Sequence, residues 1–184
     1  MPLNAVESVC VYCGSRHGDD LAFTQEARAL GRGIAETGMR LIYGAGDVGL
    51  MREVARAAME AGGKAVGVIP KHLLNLEVGF RDLTALIVTD TMHERKKIMF
   101  ANADAVVALP GGTGTLDELV EVLTWRQLGL HEKPLIVVNV NGYWDPFLAL
   151  LDHMIGRGFA AVTIRDFITI APSAQDALKL LRAM

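Results

Sequence analysis

Residues 105–109 read Ala105-Val106-Val107-Ala108-Leu109, and they run straight into Pro110-Gly111-Gly112-Thr113-Gly114-Thr115. Successive side chains of a strand point to opposite faces, so a strand with one wet face alternates apolar and polar residues. An apolar run without alternation, ended by proline and glycine, fits a strand covered on both faces. Short Val/Ile-rich runs of this kind recur at Ser8 to Cys13, Arg40 to Tyr43, Ala65 to Ile69, Ala85 to Thr89, Leu135 to Val140 and Phe167 to Ile170. Between them lie segments of helical period: Leu21 to Thr37, Leu50 to Ala61, Met92 to Ala101, Leu116 to Leu128, Pro146 to Gly156, and Ala174 to Ala183 capped by Ser173.

Alternating strands and helices predict an α/β fold: a single-domain, Rossmann-like, doubly wound parallel sheet of about seven strands with helices on both faces. The chain has 184 residues, the size of one domain over residues 1–184. Apolar residues make up 51% and charged residues 21%, with mean hydropathy +0.30, which excludes disordered and fibrous architectures. The apolar excess points to a sheet buried on both faces, an oligomer interface, or both. A net charge of -3 argues against partners held by phosphate neutralisation, so neither nucleic acid nor a membrane surface is expected. No apolar run approaches the roughly 18 residues of a membrane span. Glu7 and a strand from Ser8 leave no room for a cleavable signal, so a cytoplasmic protein is expected. Lys71 to Thr84 is the one long irregular connection, a place for a lid or binding loop.

In a doubly wound sheet ligands bind beyond the carboxyl ends of the strands, where strand order reverses. With order 3-2-1-4-5-6, three loops adjoin there: Gly14-Ser15-Arg16-His17-Gly18, Asp90 to Lys96, and Pro110 to Thr115. The three glycines of the last loop allow close backbone approach, and the helix after it offers free N–H groups and a positive dipole end, a seat for phosphate. No Lys-Ser/Thr comes after the glycines as in a Walker A loop, so a monophosphate fits better than a magnesium triphosphate. The alternative is a tight turn with no ligand. Thr115 and Glu118 have the spacing of a capping box; beside a phosphate seat, Glu118 also faces a sugar, and the helix dipole favours its ionised form. Arg95 shares a helical face with Met92 and Met99 and so needs a carboxylate or a bound anion, whereas Lys97 belongs to a solvated surface.

Gly44-Ala45-Gly46-Asp47-Val48-Gly49 matches a dinucleotide fingerprint, but it lies after the second strand, and Val66 to Pro70 ends without the acid that binds a ribose diol. A nucleotide contact or close helix packing is the better reading. Cys10 and Cys13 lie three apart in a strand, on opposite faces, which fits structural thiols better than a redox pair or a metal site. His72, His131 and His153 show no metal spacing. Trp125 and Leu128 read as core or interface, and Trp144 as either.

Pro110-Gly111-Gly112-Thr113-Gly114-Thr115-Leu116-Asp117-Glu118 matches P-G-G-x-G-T-x-x-E, and Met92-His93-Glu94-Arg95-Lys96 matches the M-H-x-R-K that precedes it in the LONELY GUY family. The chain resembles this family over nearly its whole length, including Val9 to Ser15, Tyr43 to Gly46, Val48 to Met51 and Leu123-Thr124-Trp125. The family comprises cytokinin riboside 5'-monophosphate phosphoribohydrolases. The resemblance implies a Rossmann-like homodimer that removes the base from a nucleoside 5'-monophosphate, with the dimer built on the Met92 and Leu116 helices. It places the essential arginine and glutamate on Arg95 and Glu118. It places substrate contacts on Glu77, Lys96, Gly111, Gly112, Thr113, Gly114, Thr115, Asp117 and Thr124; Ser15, Gly46 and Met92 stand in the matched motifs and are read as binding positions too.

The expected reaction is hydrolysis of the N-glycosidic bond of AMP or an N6-substituted AMP. Gly111, Gly112, Gly114 and Thr115 would hold the phosphate and Arg95 would orient the phosphoribosyl group or assist the departing base. Glu118 would act as base or electrostatic stabiliser, with Glu77 and Asp117 as candidate acids. No cofactor is expected. The decarboxylase label carried by many members requires pyridoxal phosphate on a Schiff-base lysine, and nothing in the sequence identifies that lysine. The alternative is a nucleotide or molybdenum-cofactor carrier of the same fold, which needs the cradle but not both Arg95 and Glu118.

Overall fold

The computed structural model describes residues 5–77 and 83–184, and the side chains of all of these except 75–77. The strands are β1 (Ser8–Tyr12), β2 (Arg40–Tyr43), β3 (Lys64–Pro70), β4 (Ala85–Thr89), β5 (Ala105–Ala108), β6 (Leu135–Val138) and β7 (Thr169–Ala171). They form one sheet in the order β4-β3-β2-β1-β5-β6-β7, and every neighbouring pair is parallel. The helices are α1 (Leu21–Glu36), α2 (Gly49–Glu60), α3 (Lys71–Glu77), α4 (Met92–Ala101), α5 (Thr113–Gln127), α6 (Asp145–Gly156) and α7 (Ala174–Arg182).

The unbroken apolar strands have the cause expected of them. Val9, Val11, Leu41 and Val107 face one core with α1, α2 and α7, while Cys10, Tyr12, Ile42 and Val106 face a second core with α4, α5 and α6. Both faces of the central strands are dry, so alternation has nothing to alternate between; β4 at the edge is apolar for another reason, since Leu86 and Val88 are exposed. Cys10 and Cys13 belong to opposite cores and are buried free thiols. Helix starts are set by side chains: Asp20 accepts from the N–H of Ala22 at 2.8 Å, Thr91 and Glu94 form a capping box on α4, and Ser173 caps α7.

Three expectations change. β4 is an edge strand beside β3 and does not lie next to β1, so the switch point falls between β1 and β5. The connection from β4 to β5 must cross β3, β2 and β1, and this carries α4 back beneath the sheet to where the other two loops lie. Part of the stretch read as irregular is helix, Lys71–Glu77. Finally, α5 starts at Thr113 rather than Leu116, so the end of the glycine loop is the first turn of a helix. No helix among the described residues is long and apolar enough to cross a membrane.

Candidate active site

A cavity of about 590 Å³ opens at the carboxyl ends of β1 and β5. One wall is the loop from Gly14 to Gly18 and another is Pro110 to Thr115; Leu50, Met51, Leu73 and Met92 add apolar surface, and Arg95 and Glu118 reach it from α4 and α5. The two loops are tied together, with the N–H of Gly14 donating to the carbonyl of Pro110 at 3.0 Å and the carbonyl of Gly14 accepting from Leu50 N–H at 3.0 Å. A side chain at Gly14 would meet Gly111 Cα at 3.2 Å, and one at Gly111 would run into the Thr115 side chain and the Gly14 N–H. These glycines are there because two backbones approach closely.

Gly112 caps α5 with no side-chain hydrogen bond. Among the described residues, no protein group accepts from the N–H groups of Thr113, Gly114 or Thr115, all of which line the cavity. Open donors at a helix N-terminus, with space beside Gly112 and Gly114, make an anion seat.

Because α5 begins at Thr113, Glu118 lies in its second turn, and the capping-box reading of Thr115 and Glu118 does not hold. The helix dipole also does not decide its ionisation. Burial pushes the Glu118 carboxyl from 4.5 up to about 7, helped by Asp117 and Glu121 and opposed by Arg95 and Lys96. The expectation of a carboxylate kept ionised by the dipole is therefore corrected: desolvation outweighs it.

Arg95 is buried, at 7% exposure, and its partners among the described residues are backbone carbonyls. Its Nε donates to the carbonyl of Val68 at 3.1 Å and its Nη2 to that of Gly44 at 2.8 Å, while Nη1 reaches, among the described residues, only the Met92 sulfur at 3.9 Å. Two carbonyls, one just after β2 and one within β3, fix the guanidinium beside Glu118, and among the described residues no carboxylate forms a salt bridge with it. The Gly44-to-Gly49 glycines serve the same packing. A Cβ at Gly44 would collide with the Arg95 guanidinium, one at Gly46 with the Met51 side chain, and one at Gly49, where φ is +57°, with the Ser15–Arg16 peptide.

The other expected contacts divide. Ser15, Met92, Gly111, Gly112, Thr113, Gly114 and Thr115 line the cavity, and Gly46 lies behind Met51. Lys96, Asp117 and Thr124 do not line it. Lys96 is buried between Asp117 at 3.0 Å and Glu121 at 3.1 Å, and Thr124 donates to its own helix at Val120. Glu77 ends α3, and its side chain lies outside the described residues. Sequence reasoning missed Phe23 and Tyr143, which also line the cavity. Nothing in their local pattern marks them; only the fold brings them to the glycine loop. No lysine lines the cavity and no metal-binding cluster occurs among the described residues.

Fold and cavity together define a parallel α/β protein with open helix N–H donors at its topological switch point and an arginine and a glutamate beside them. The chain belongs to the family described as "Possible lysine decarboxylase", whose model matches residues 51–181. It is 45% identical to a cytokinin riboside 5'-monophosphate phosphoribohydrolase of Oryza sativa subsp. japonica, over 91% of this chain and 69% of that protein. It is 40% identical to a protein of the same name from Rhodococcoides fascians, over 96% of this chain and 90% of that one. Among solved structures, the molybdenum cofactor binding protein of Rippkaea orientalis shares the fold with a TM-score of 0.73 at 23% identity, covering 96% of this chain and 95% of that one. The molybdenum cofactor carrier protein of Chlamydomonas reinhardtii gives a TM-score of 0.71 at 25% identity, over 96% and 98%.

Proposed function

We propose that this protein hydrolyses the N-glycosidic bond of AMP or an N6-substituted adenosine 5'-monophosphate, releasing the free base and ribose 5-phosphate. The observation that carries the reading is that one helix supplies both the phosphate seat and the carboxylate. The open N–H groups of Thr113 to Thr115 lead α5, and Glu118, raised to about 7, comes one turn on. At 1.5 Å per residue, Glu118 stands about 6 Å along the axis from Gly114, a span of the same order as that from a 5'-phosphate to the anomeric carbon.

With the phosphate on α5, the ribose faces Glu118 and the base packs on the apolar wall of Leu50, Met51, Leu73 and Met92. As the bond breaks, positive charge develops on the ribose ring, and the ionised Glu118 stabilises it. A carboxyl with a pKa near the working pH also takes the proton of the attacking water and returns it to solvent, while the departing base takes up a proton from solvent. Arg95, locked by Val68 and Gly44, sets a fixed positive charge that orients the phosphoribosyl group. Asp117, engaged by Lys96, is no longer a candidate acid within this cavity.

The homology to phosphoribohydrolases supports this reading over the carrier suggested by the shared fold, because a carrier has no use for Glu118. In the homodimer we infer, exposed apolar residues of α4, α5 and the β4 edge (Met92, Val120, Leu86 and Val88) meet a second copy, with the cytoplasm as the compartment. Light scattering should give twice the monomer mass of 19.9 kDa. Kinetics with AMP and with adenosine test the function: AMP should be cleaved and adenosine should be slower by about 100-fold or more, the loss of several charge-assisted hydrogen bonds. Equal turnover would remove the phosphate seat, and tight retention of uncleaved AMP would favour the carrier.

A further inference from the structure

The turn after β6 is unusual in its backbone and its bonding. Asn141 and Gly142 both adopt left-handed conformations, φ +49° and +75°, uncommon outside glycine and best tolerated by asparagine. Asn139 holds the turn from within, accepting from Trp144 N–H at 2.7 Å and donating to Asp145 at 2.7 Å, and Asn141 ties it to the α1 cap by donating to Asp20 at 2.7 Å. What this brings to the cavity is Tyr143. Its ring sets edge-on against Phe23, with centroids 5.4 Å apart, and its hydroxyl donates to the carbonyl of Gly111 at 2.5 Å.

We propose that Tyr143 is a positioning residue for the anion seat, acting by pinning the peptide between Gly111 and Gly112. This rests on the reading of that loop as a phosphate seat. A trans peptide is planar, with its carbonyl and N–H pointing in opposite directions, so fixing the Gly111 oxygen fixes the direction of the Gly112 N–H. The preceding peptide is held the same way, since the Pro110 carbonyl accepts from Gly14 N–H, which fixes the Gly111 N–H. Neither N–H has a protein acceptor among the described residues. Two adjacent glycines have the freest backbone in the loop, and without the hydroxyl they would have to be ordered when an anion arrives. Donation to the carbonyl also polarises the amide and strengthens its N–H as a donor.

The phenylalanine variant separates this role from packing, because it keeps the ring against Phe23 and removes only the hydroxyl. In the full chain, Tyr143→Phe should raise the KM for AMP and the dissociation constant of inorganic phosphate by about fivefold or more, the worth of one hydrogen bond. Its kcat and melting temperature should stay near wild type. Tyr143→Leu should lower the melting temperature, and phenylalanine should restore stability without restoring phosphate affinity. Unchanged KM and phosphate affinity in Tyr143→Phe, with a wild type that binds phosphate and cleaves AMP, would overturn the inference alone. Loss of phosphate affinity only in step with melting temperature would reduce Tyr143 to a packing residue. A wild type that neither binds phosphate nor cleaves AMP would overturn the seat and this inference together.

Discussion

The guanidinium of Arg95 donates to the carbonyl of Gly44 at 2.8 Å, a bond between residues 51 positions apart that fastens α4 under the end of β2. Carbonyl partners fix the buried guanidinium in place without offsetting its charge as a carboxylate would. Any side chain at Gly44 occupies the place of Arg95 Nη2. Gly44→Ala should therefore behave as an arginine mutation at a distance, lowering kcat/KM by about 100-fold, the cost of misplacing a catalytic group by about 1 Å. Steady-state kinetics alongside circular dichroism would show it; a folded variant with wild-type kinetics would detach Arg95 from the reaction.

Glu118 should weaken the protein it serves. Its carboxyl is raised from 4.5 to about 7, so between these values the folded state holds a proton that the unfolded state releases, and stability falls as pH rises through this window. The full penalty, present above pH 7, is at most about 3 kcal/mol because the half-buried residue keeps some contact with solvent. Glu118→Gln should accordingly be more stable than wild type at pH 8 and no more stable at pH 4.5. Urea unfolding at both values checks this, and a gain confined to low pH would show that the shift has the opposite sign.

The same group should shape the rate profile. With Glu118 required as carboxylate, kcat/KM for AMP should rise with pH and level off above an inflection near 7, which reports the free enzyme. A profile flat from pH 5 to pH 8 would mean that Glu118 does not titrate in the catalytic step.

Lys96 sits between Asp117 and Glu121, with 9% of its side chain exposed. Burial disfavours its charge, yet the two carboxylates hold its pKa above the ordinary lysine value. Lys96→Met leaves those carboxylates facing each other across one turn of α5. Because Asp117 is 60% exposed, the loss should be modest, about 1–2 kcal/mol, or a fall in melting temperature of roughly 2–8 °C. Added salt should narrow the difference, and a variant as stable as wild type at low salt would show that the cluster contributes nothing net.

The strands were legible because two dry sheet faces leave a signature that needs no tertiary knowledge, and the glycine loop because close backbone approach excludes side chains. Strand order was not legible: β4 reads like any internal strand, and only pairing places it at the edge. The start of α5 was hidden because Thr113 and Gly114 are poor helix formers, held in the helix by the turns from Leu116 onward. The environment of Glu118 escaped as well, since local spacing proposed a cap and a dipole, while the deciding factor is desolvation by residues far away in the chain. Phe23 and Tyr143 carry no local mark at all; a left-handed turn brings Tyr143 back to Gly111, 32 positions earlier.

The central claim is that this cavity breaks the bond between base and ribose in a nucleoside 5'-monophosphate, with Glu118 as the acting carboxylate. Chromatography of AMP incubated with wild type and with Glu118→Gln tests it most directly. Wild type should release adenine and ribose 5-phosphate in equal amounts, while Glu118→Gln should bind AMP and release adenine slower by orders of magnitude. AMP recovered intact from wild type, or adenine released at the same rate by both proteins, would contradict it.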